Sequence, residues 1–265
     1  MAGSSAGPRH RRDTGVGLPF ESRRNSRIRR RALPPAESRD RCGGLDQRDR
    51  SHGRGQRRPL LPALPPSPLD GPRVLVRRRD TEQAHICLGA RALSYLDPDR
   101  YALDLLNTVL GEGMSSRLFL NIRERLGLAY DVHSFTQKHR DTGYLGVYIG
   151  VDPNKAVDAV NAVMAELRSL GETEVSAEDL ARAKEFTKGR LRLELETTNG
   201  VAFWLTYQEL LLGQIKTIEE ELALVDAVSA ADVKRVAVEM LTGPVQMSVI
   251  GPFARDSAFR LAIGA

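Results

Sequence analysis

The sequence has few of the features that mark a disulfide scaffold or a membrane protein. Only two cysteines occur in 265 residues, Cys42 and Cys87, which excludes a disulfide framework and a cysteine-rich metal site. So few thiols suit a reducing compartment, and we expect a cytoplasmic location. No apolar run approaches the ~18–20 residues that cross a bilayer, so no membrane is expected as a partner.

Histidine is also scarce, with five in the chain, and neither H-x-x-E-H nor H-E-x-x-H occurs. A zinc peptidase needs two histidines on one helical face, a third ligand and a base near the metal-bound water. His133 and His139 are six residues apart, a poor spacing for ligands on one element, and His85 is predicted to lie on a strand. We expect structural histidines, no metal site and no catalytic residue in this chain. A G-x-S-x-G elbow and a phosphate-binding loop are missing too.

Lysine is missing from the first part of the chain, where arginine is abundant. Residues 1–72 contain 16 arginines, no lysine and seven acidic residues, a net charge of +9 that leaves −4 for the remainder. They also contain 10 of the 14 prolines and show no sustained apolar periodicity. Such a segment buries too little apolar area to offset the entropy of ordering it. We expect residues 1–72 to be disordered or non-native.

Three interpretations of this arginine-rich segment are open. It could bind nucleic acid or another polyanion. It could be an organelle-targeting segment, although its acids, its prolines and its lack of an amphipathic stretch count against that. It could also be sequence that was never selected to fold, such as GC-rich DNA translated in the wrong frame. The arginine excess without lysine favours the last interpretation, so nucleic acid is not expected as a partner.

Residues 73–253 have the regular patterning of a folded domain. Two short strands are predicted around Val74–Val76 and Ala84–Gly89, then a helix that begins at Asp97-Pro98 and ends at Gly111. A hairpin follows at 130–136 and 143–151, then helices opened by capping residues, and a last strand at 246–250. This order predicts an α+β domain, with helices packed on one face of a largely antiparallel sheet. Residues 254–265 are expected to be a loose C-terminal extension.

The most informative stretch runs from Gly111 to Tyr130. It begins with a glycine turn, after which Ser115 and Ser116 could cap a helix. Apolar residues then recur with helical spacing at Leu118, Phe119, Ile122 and Leu126, and Gly127 supplies a stop.

This stretch resembles the insulinase-like zinc metallopeptidases, the family of pitrilysin and the mitochondrial processing peptidase. In their second, non-zinc half, G-G-G-M-S-S-R-L-F leads into I-R-E-x-x-G-L-A-Y. Here the sequence reads G-E-G-M-S-S-R-L-F and I-R-E-R-L-G-L-A-Y, and Glu112 replaces the middle glycine. The resemblance covers about residues 73–253 and implies one half-repeat of the metallopeptidase fold.

The resemblance implies a substrate-binding role for Arg123 and Tyr130. In the family, an arginine and a tyrosine at this spacing face the zinc across a cavity and hydrogen-bond the substrate near the scissile peptide. From spacing alone, Arg123 could instead neutralise a helix C-terminus while Tyr130 packs in the sheet. The loop before this helix has two possible roles, capping the helix or forming part of the substrate chamber. Its residues are Gly111, Gly113, Ser115 and Ser116.

The function that follows is the C-terminal chamber domain of a zinc metallopeptidase, a piece of a longer proteolytic chain. Zinc is then expected in the missing half or in a partner subunit. The expected partners are that zinc-bearing homologous half or subunit and a peptide substrate. An alternative is a stand-alone, non-catalytic partner subunit of a zinc-bearing homologue. In a weaker alternative, the basic segment binds polyanions and the folded part is a scaffold.

The apolar helical residues Trp204 and Tyr207 are expected in the core.

Overall fold

A computed structural model describes residues 69–265, and its centre is one five-stranded sheet. The strands follow the spatial order β1-β5-β2-β4-β3. β1 pairs in parallel with β5, and the other neighbours are antiparallel. The predicted α+β class is therefore confirmed. The strands are β1 (Arg73–Arg78), β2 (Ala84–Ala92), β3 (Ala129–Lys138), β4 (Gly143–Val151) and β5 (Gln246–Gly251).

Seven α-helices complete the part of the chain that the structure describes. A 3-10 turn over Pro153–Lys155 precedes the second helix, and two π-helical segments occur, Phe119–Arg125 and Gln208–Leu212. The α-helices are α1 (Arg100–Gly111), α2 (Ala156–Glu172), α3 (Ala177–Glu194), α4 (Thr198–Tyr207), α5 (Ile218–Ala227), α6 (Ala230–Leu241) and α7 (Ser257–Ile263). Among residues 69–265, none of these helices has the length and apolar character that a membrane span requires.

Side-chain caps explain where most of these helices begin. Thr217 and Asp232 belong to two complete capping boxes, which open α5 and α6. Asp152 accepts a hydrogen bond from the Asn154 backbone N–H at 2.9 Å, and the proline that follows supplies the fixed φ of a helix start. Ser176 caps α3 by accepting from the Asp179 N–H at 3.0 Å. The predicted helix starts at these four positions are confirmed.

The core lies between the sheet and the helices that cover one of its faces. Alternate residues of β2 and β4 point into it, and α1, α2 and α6 supply the apolar residues that meet them, as at Leu105, Val163 and Val236. The opposite face of the sheet, called the open face below, carries the other alternate residues. Several large apolar side chains on it are exposed, among them Leu75, Tyr144 and Ile250.

The structure corrects two predictions, one about the start of α1 and one about the packing of the C-terminal residues. Asp97 does not cap α1: its carboxylate accepts from the Asp99 N–H at 2.9 Å in a turn that precedes the helix. The expected loose packing of residues 254–265 is wrong, since α7 lies in that range. Phe259 on α7 is 1% exposed and stacks edge-to-face on Phe253 with ring centroids 4.9 Å apart. Of the predicted segment 1–72, only 69–72 lie within the described residues.

The expectation that α4 packs in the core is also wrong. Its sequence is uncharged from Thr198 to Tyr207, but none of its residues is buried. Phe203 is 56% exposed and Tyr207 57%, while Trp204 is half-buried. An apolar pattern shows that a face needs burial, but it does not show that the same chain supplies the covering surface.

Candidate functional site

The helical segment before β3 sets the position of Arg123. Leu118 and Ile122 are fully buried and fix this segment against the core. It is π-helical from Phe119 to Arg125, a geometry that recurs at functional sites. Gly127 then adopts a left-handed φ of +57°, and the Leu128 N–H reaches the Ile122 carbonyl at 2.9 Å. This is the glycine-terminated helix end that the sequence predicts. Arg123 is therefore presented at a well-defined helix terminus.

Leu126 is an exception to the predicted apolar face. It is 48% exposed rather than buried. The π-helical turns shift the residues that follow them relative to a regular 3.6-residue repeat, so a position expected to face inward faces solvent. Leu118 and Ile122, which come earlier, keep their predicted places in the core.

A β-bulge sets the position of Tyr130. In the β3–β4 ladder, Ala129 pairs with Val151 and Asp131 pairs with Gly150, so Tyr130 is the extra residue between them. A bulge turns a side chain out of the regular alternation and often occurs beside active sites. Tyr130 is accordingly 73% exposed although it lies within a strand.

Arg123 and Tyr130 are in contact. The guanidinium carbon of Arg123 lies 5.5 Å from the Tyr130 ring centre and 4.9 Å from the Phe119 ring centre, within the range of cation–π attraction. Its Nε is 3.7 Å from the Glu124 carboxylate. The Arg123 side chain keeps 40% of its accessible surface. Both functional groups therefore reach solvent on the same side of the domain.

An open cleft of about 510 Å³ lies beside Tyr130. Leu128 and Asp152 contribute to its walls together with Gly127 and Lys155, and the Lys155 ammonium donates to the Gly127 carbonyl at 3.0 Å. This volume falls within the range of ligand-binding clefts. Tyr130 lines this cleft, and the Arg123 guanidinium contacts the Tyr130 ring. A guanidinium with fixed donors and a phenol can hold a peptide carbonyl and stabilise negative charge on oxygen.

The loop residues divide between packing and exposure. A Cβ added to Gly111 would lie 2.6 Å from the Ser134 Oγ, so only glycine permits this approach of α1 to β3. Gly113 has a φ of +89° and forms a turn. Ser116 does not cap a helix as predicted: it is buried, and its hydroxyl donates to the Gly113 carbonyl at 2.7 Å. Ser115 is exposed. The helical segment that follows separates this loop from Arg123 by about 10 Å.

Glu112 fastens the loop to two helices. Its carboxylate accepts hydrogen bonds from the Thr108 hydroxyl at 3.2 Å and from the Asn107 amide at 3.3 Å, and it pairs with Arg190 on α3. Glu112 occupies the position of the middle glycine in the family motif G-G-G-M-S-S-R-L-F. A glutamate has less backbone freedom than a glycine at this position, but its side-chain contacts hold the turn in place.

The described residues do not fit a zinc centre. No group of three or more histidine, cysteine or acidic side chains within residues 69–265 is arranged to hold a metal ion. His85 and His133 lie on the open face on either side of Tyr148, and the Tyr148 hydroxyl is 2.7 Å from the His85 Nδ1. His133 is within β3 rather than at its end, and Asp131 lies 3.3 Å from its ring.

Sequence reasoning assigned Phe119 only to the core. The structure leaves it half-buried, with its ring against the Arg123 guanidinium. The four-residue spacing of Phe119 and Arg123 could have indicated this contact, because side chains four apart on a regular helix are neighbours. The bulge at Tyr130 has no comparable signal in the sequence.

Comparison with known families gives these features a context. The sequence profile described as "Peptidase M16 inactive domain" matches residues 37–186, which include the loop, Arg123 and Tyr130. The chain belongs to the M16 peptidase family. The predicted insulinase-like relationship and the non-zinc type of half-domain are thereby confirmed.

Curated M16 relatives match over most of the described residues. An uncharacterized zinc protease of Streptomyces coelicolor is 38% identical over 189 residues, which are 71% of this chain and 41% of that protein. An uncharacterized zinc protease of Bacillus subtilis is 37% identical over 178 residues, or 67% of this chain and 44% of that protein. The chain thus spans about two-fifths of the length of the curated relatives it matches.

Solved structures show the same fold. The peptidase M16 inactive domain from Pseudomonas fluorescens aligns with a TM-score of 0.66 at 18% identity, covering 72% of this chain and 46% of that one. A protease from Helicobacter pylori aligns with a TM-score of 0.62 at 24% identity, covering 69% and 44%. At these identities the likeness concerns the fold alone.

Proposed function

We propose that this domain is the non-catalytic wall of a substrate chamber in an M16 zinc protease, where Arg123 and Tyr130 bind the peptide near its scissile bond. The observation that carries the proposal is the contact of Arg123 with Tyr130, whose exposed side chain lines an open cleft. An arginine that only neutralised a helix end would not need a bulged tyrosine beside it.

The two side chains have distinct roles in this proposal. The Arg123 guanidinium donates to a substrate carbonyl oxygen, and its stacking between Phe119 and Tyr130 limits the directions in which it can point. The Tyr130 O–H donates to the oxygen on which negative charge develops. Gly111, Gly113, Ser115 and Ser116 shape a second part of the wall, where Ser115 faces solvent and Glu112 holds the turn in place.

The metal and the general base belong to a second, homologous part in this proposal. The curated relatives named zinc proteases extend well beyond the matched region. A zinc-bearing half of the same chain or a separate subunit would complete the chamber. The residues described here are the same whether this domain is part of a longer zinc-protease chain or a separate subunit. Experiment must therefore decide between these two alternatives.

The test is reconstitution with a zinc-bearing homologous half, identified by its H-x-x-E-H motif. Hydrolysis of quenched fluorescent peptides is measured for each chain alone and for the mixture. We expect activity that depends on both chains. Arg123→Ala and Tyr130→Phe are each expected to lower the rate by about 10²–10³-fold, the usual effect of removing one oxyanion donor.

Arg125→Ala is the matched control, because Arg125 is exposed on the same helical segment. Its rate should stay within about twofold of the original. Equal losses in Arg123→Ala and Arg125→Ala would reduce the effect to general charge and overturn the assignment. Full activity of the zinc-bearing half alone would overturn the chamber role itself.

A further inference from the structure

We infer that α4 is the helix by which this domain docks onto the zinc-bearing homologous half, with Phe203, Tyr207 and Leu210 inserted into an apolar groove of that half. The inference rests on the proposed function, from which it takes its partner. Among the described elements, α4 packs chiefly against the π-helical segment Gln208–Leu212 that continues it. Since none of its residues is buried, most of the surface of α4 is available to a partner.

The side of this helix that points away from the domain is the apolar one. Phe203 is 56% exposed, Tyr207 57% and Leu210 62%, and the three follow one another at i, i+4 and i+7. Gln208 faces the domain instead: it is 1% exposed, and its side-chain oxygen accepts from the Lys216 N–H at 2.9 Å. A surface helix of a monomer has polar residues on its outer side. The exposed spacing is the one by which a helix lies in an apolar groove of another protein.

The helix also lacks the charges that keep a surface helix in water. No acidic or basic residue occurs from Thr197 to Gln208, in a chain of which 28% is charged. The core of a protein interface is depleted of charged residues and enriched in aromatic ones. The composition of α4 is therefore that of an interface core.

The helix is held in place before a partner binds. Thr197 caps it by accepting from the Gly200 N–H at 2.9 Å, and a Cβ at Gly200 would collide with the Glu194 carbonyl oxygen, which fixes the turn out of α3. Beyond α4, the Arg140 guanidinium donates to the Leu211 carbonyl at 2.6 Å. A preformed helix loses little conformational entropy when it binds.

The part of the relatives that lies outside this chain is the occupant that fits this face. The curated zinc proteases are matched over 41% and 44% of their lengths, so more than half of each lies outside the matched region. That remainder is long enough for a second domain of this size. A domain that always lies beside this one makes a permanent interface, and permanent interfaces are the more apolar ones. The arginine-rich segment before residue 69 is a poorer occupant, because its charges would have to be desolvated.

The test is the affinity of the full chain for the zinc-bearing half, identified by its H-x-x-E-H motif and labelled with fluorescein. Titrations followed by fluorescence anisotropy give the dissociation constant. Phe203→Ala and Tyr207→Ala are each expected to raise it at least about thirtyfold, the effect of removing an aromatic anchor from an interface. Because alanine favours the helix and both side chains are mostly exposed, these variants should fold like the original chain.

Leu261→Ala is the matched control, because Leu261 is an apolar residue that is 81% exposed on α7. Its dissociation constant should stay within about twofold of the original. Amide hydrogen exchange gives a second measurement. The backbone N–H groups of α4 should exchange more slowly in the complex than in the free chain, while those of α7 should not change.

Two further titrations separate this inference from the proposed function. Raising the concentration of the zinc-bearing half should restore peptide hydrolysis with Phe203→Ala, because that substitution weakens association alone. Hydrolysis with Arg123→Ala should stay low at saturation, although its dissociation constant is unchanged.

Four outcomes would overturn the docking helix and leave the proposed function standing. Normal affinity in both Phe203→Ala and Tyr207→Ala is the first, and an equal loss in Leu261→Ala is the second. In the third, the chain alone is a dimer in sedimentation velocity and Phe203→Ala dissociates it, so α4 pairs two copies. In the fourth, removing residues 1–68 speeds amide exchange in α4, so that segment covers the helix. If the original chain does not associate with the zinc-bearing half, both proposals are rejected.

Discussion

The Arg123 guanidinium carbon lies 5.5 Å from the centre of the Tyr130 ring, and both side chains are open to solvent. The contact joins the end of a π-helical segment to the bulge that begins β3. Neither group is needed to fill the core. We therefore expect both side chains to contribute little to folding, so that a functional role can be tested separately from a structural one.

Arg123→Ala and Tyr130→Phe should each change the free energy of unfolding by less than about 1 kcal/mol, because an exposed cation–π contact contributes about 0.5–1 kcal/mol. Urea unfolding followed by circular dichroism measures this. Ile122→Ala, one residue away but fully buried, should cost about 2–5 kcal/mol and serves as the contrast. A loss of that size in either exposed variant would mean that the pair is structural.

Gly111→Ala is expected to destabilise the domain by about 1–3 kcal/mol through overpacking, because the new methyl group would meet Ser134 on β3. Gly189→Ala is the matched control in α3. It should stabilise the domain by about 0.5–1 kcal/mol, since alanine replaces glycine in an unobstructed helix interior. Thermal and urea unfolding measure both. If the two substitutions changed the stability equally, Gly111 would be needed for the flexibility of the chain and not for close packing against Ser134.

Local signals predicted much of the fold because they act within a few residues. The capping boxes at Thr217 and Ser229 and the Asp152-Pro153 start fix helix ends through their own hydrogen bonds. The β3–β4 hairpin follows from alternation and a polar turn. These elements needed no knowledge of distant residues, and the structure contains all of them.

Features that depend on contacts between distant residues could not be predicted from the sequence. The exposure of α4 reflects the lack of a covering surface within residues 69–265, which an apolar pattern cannot reveal. The burial of Phe259 depends on its contact with Phe253 and on the packing of α7 against α2, neither of which has a local signature in the sequence. The juxtaposition of Arg123 and Tyr130 could be expected from their matching motif, but the bulge that exposes Tyr130 could not.

The domain should lose stability as the pH falls from about 4 to about 2, in part through Asp232. Hydrogen bonds from the side chain and backbone of Ser229, and then from Arg235, lower the pKa of Asp232 to about 2. Between its ordinary pKa and this value, the unfolded chain binds more protons than the folded one, so acid favours unfolding. Above about pH 5 the contribution is complete and should not change with pH.

Unfolding of the wild type and of Asp232→Asn, measured from pH 7 to pH 2, checks this. The two stability curves should converge at low pH, because the original carboxyl group is then protonated. Ser229→Ala should raise the pKa of Asp232, which carbon-detected NMR titration can follow. Curves that stayed parallel down to pH 2 would contradict a folded-state pKa near 2.

A buried ion pair between α1 and α5 provides the last prediction. The Arg100 guanidinium, 7% exposed, donates to the Glu221 carboxylate at 3.2 Å and to the Tyr95 carbonyl at 2.8 Å. The Tyr101 hydroxyl donates to the same carboxylate at 2.8 Å, and burial together with this hydrogen bond raises the pKa of Tyr101. Glu221 thus supplies both the counter-ion of Arg100 and the hydrogen-bond acceptor of Tyr101.

Glu221→Ala should cost about 3–5 kcal/mol, because it leaves the Arg100 charge buried without a counter-ion. Arg100→Met combined with Glu221→Leu should recover most of that loss, since apolar replacements remove the need to desolvate either charge. Urea unfolding of Arg100→Met, Glu221→Leu and the double variant, arranged as a double-mutant cycle, gives the coupling energy. If the double variant were less stable than Glu221→Ala, the cluster would be acting through its hydrogen bonds to Tyr95 and Tyr101, and the ion pair itself would contribute little.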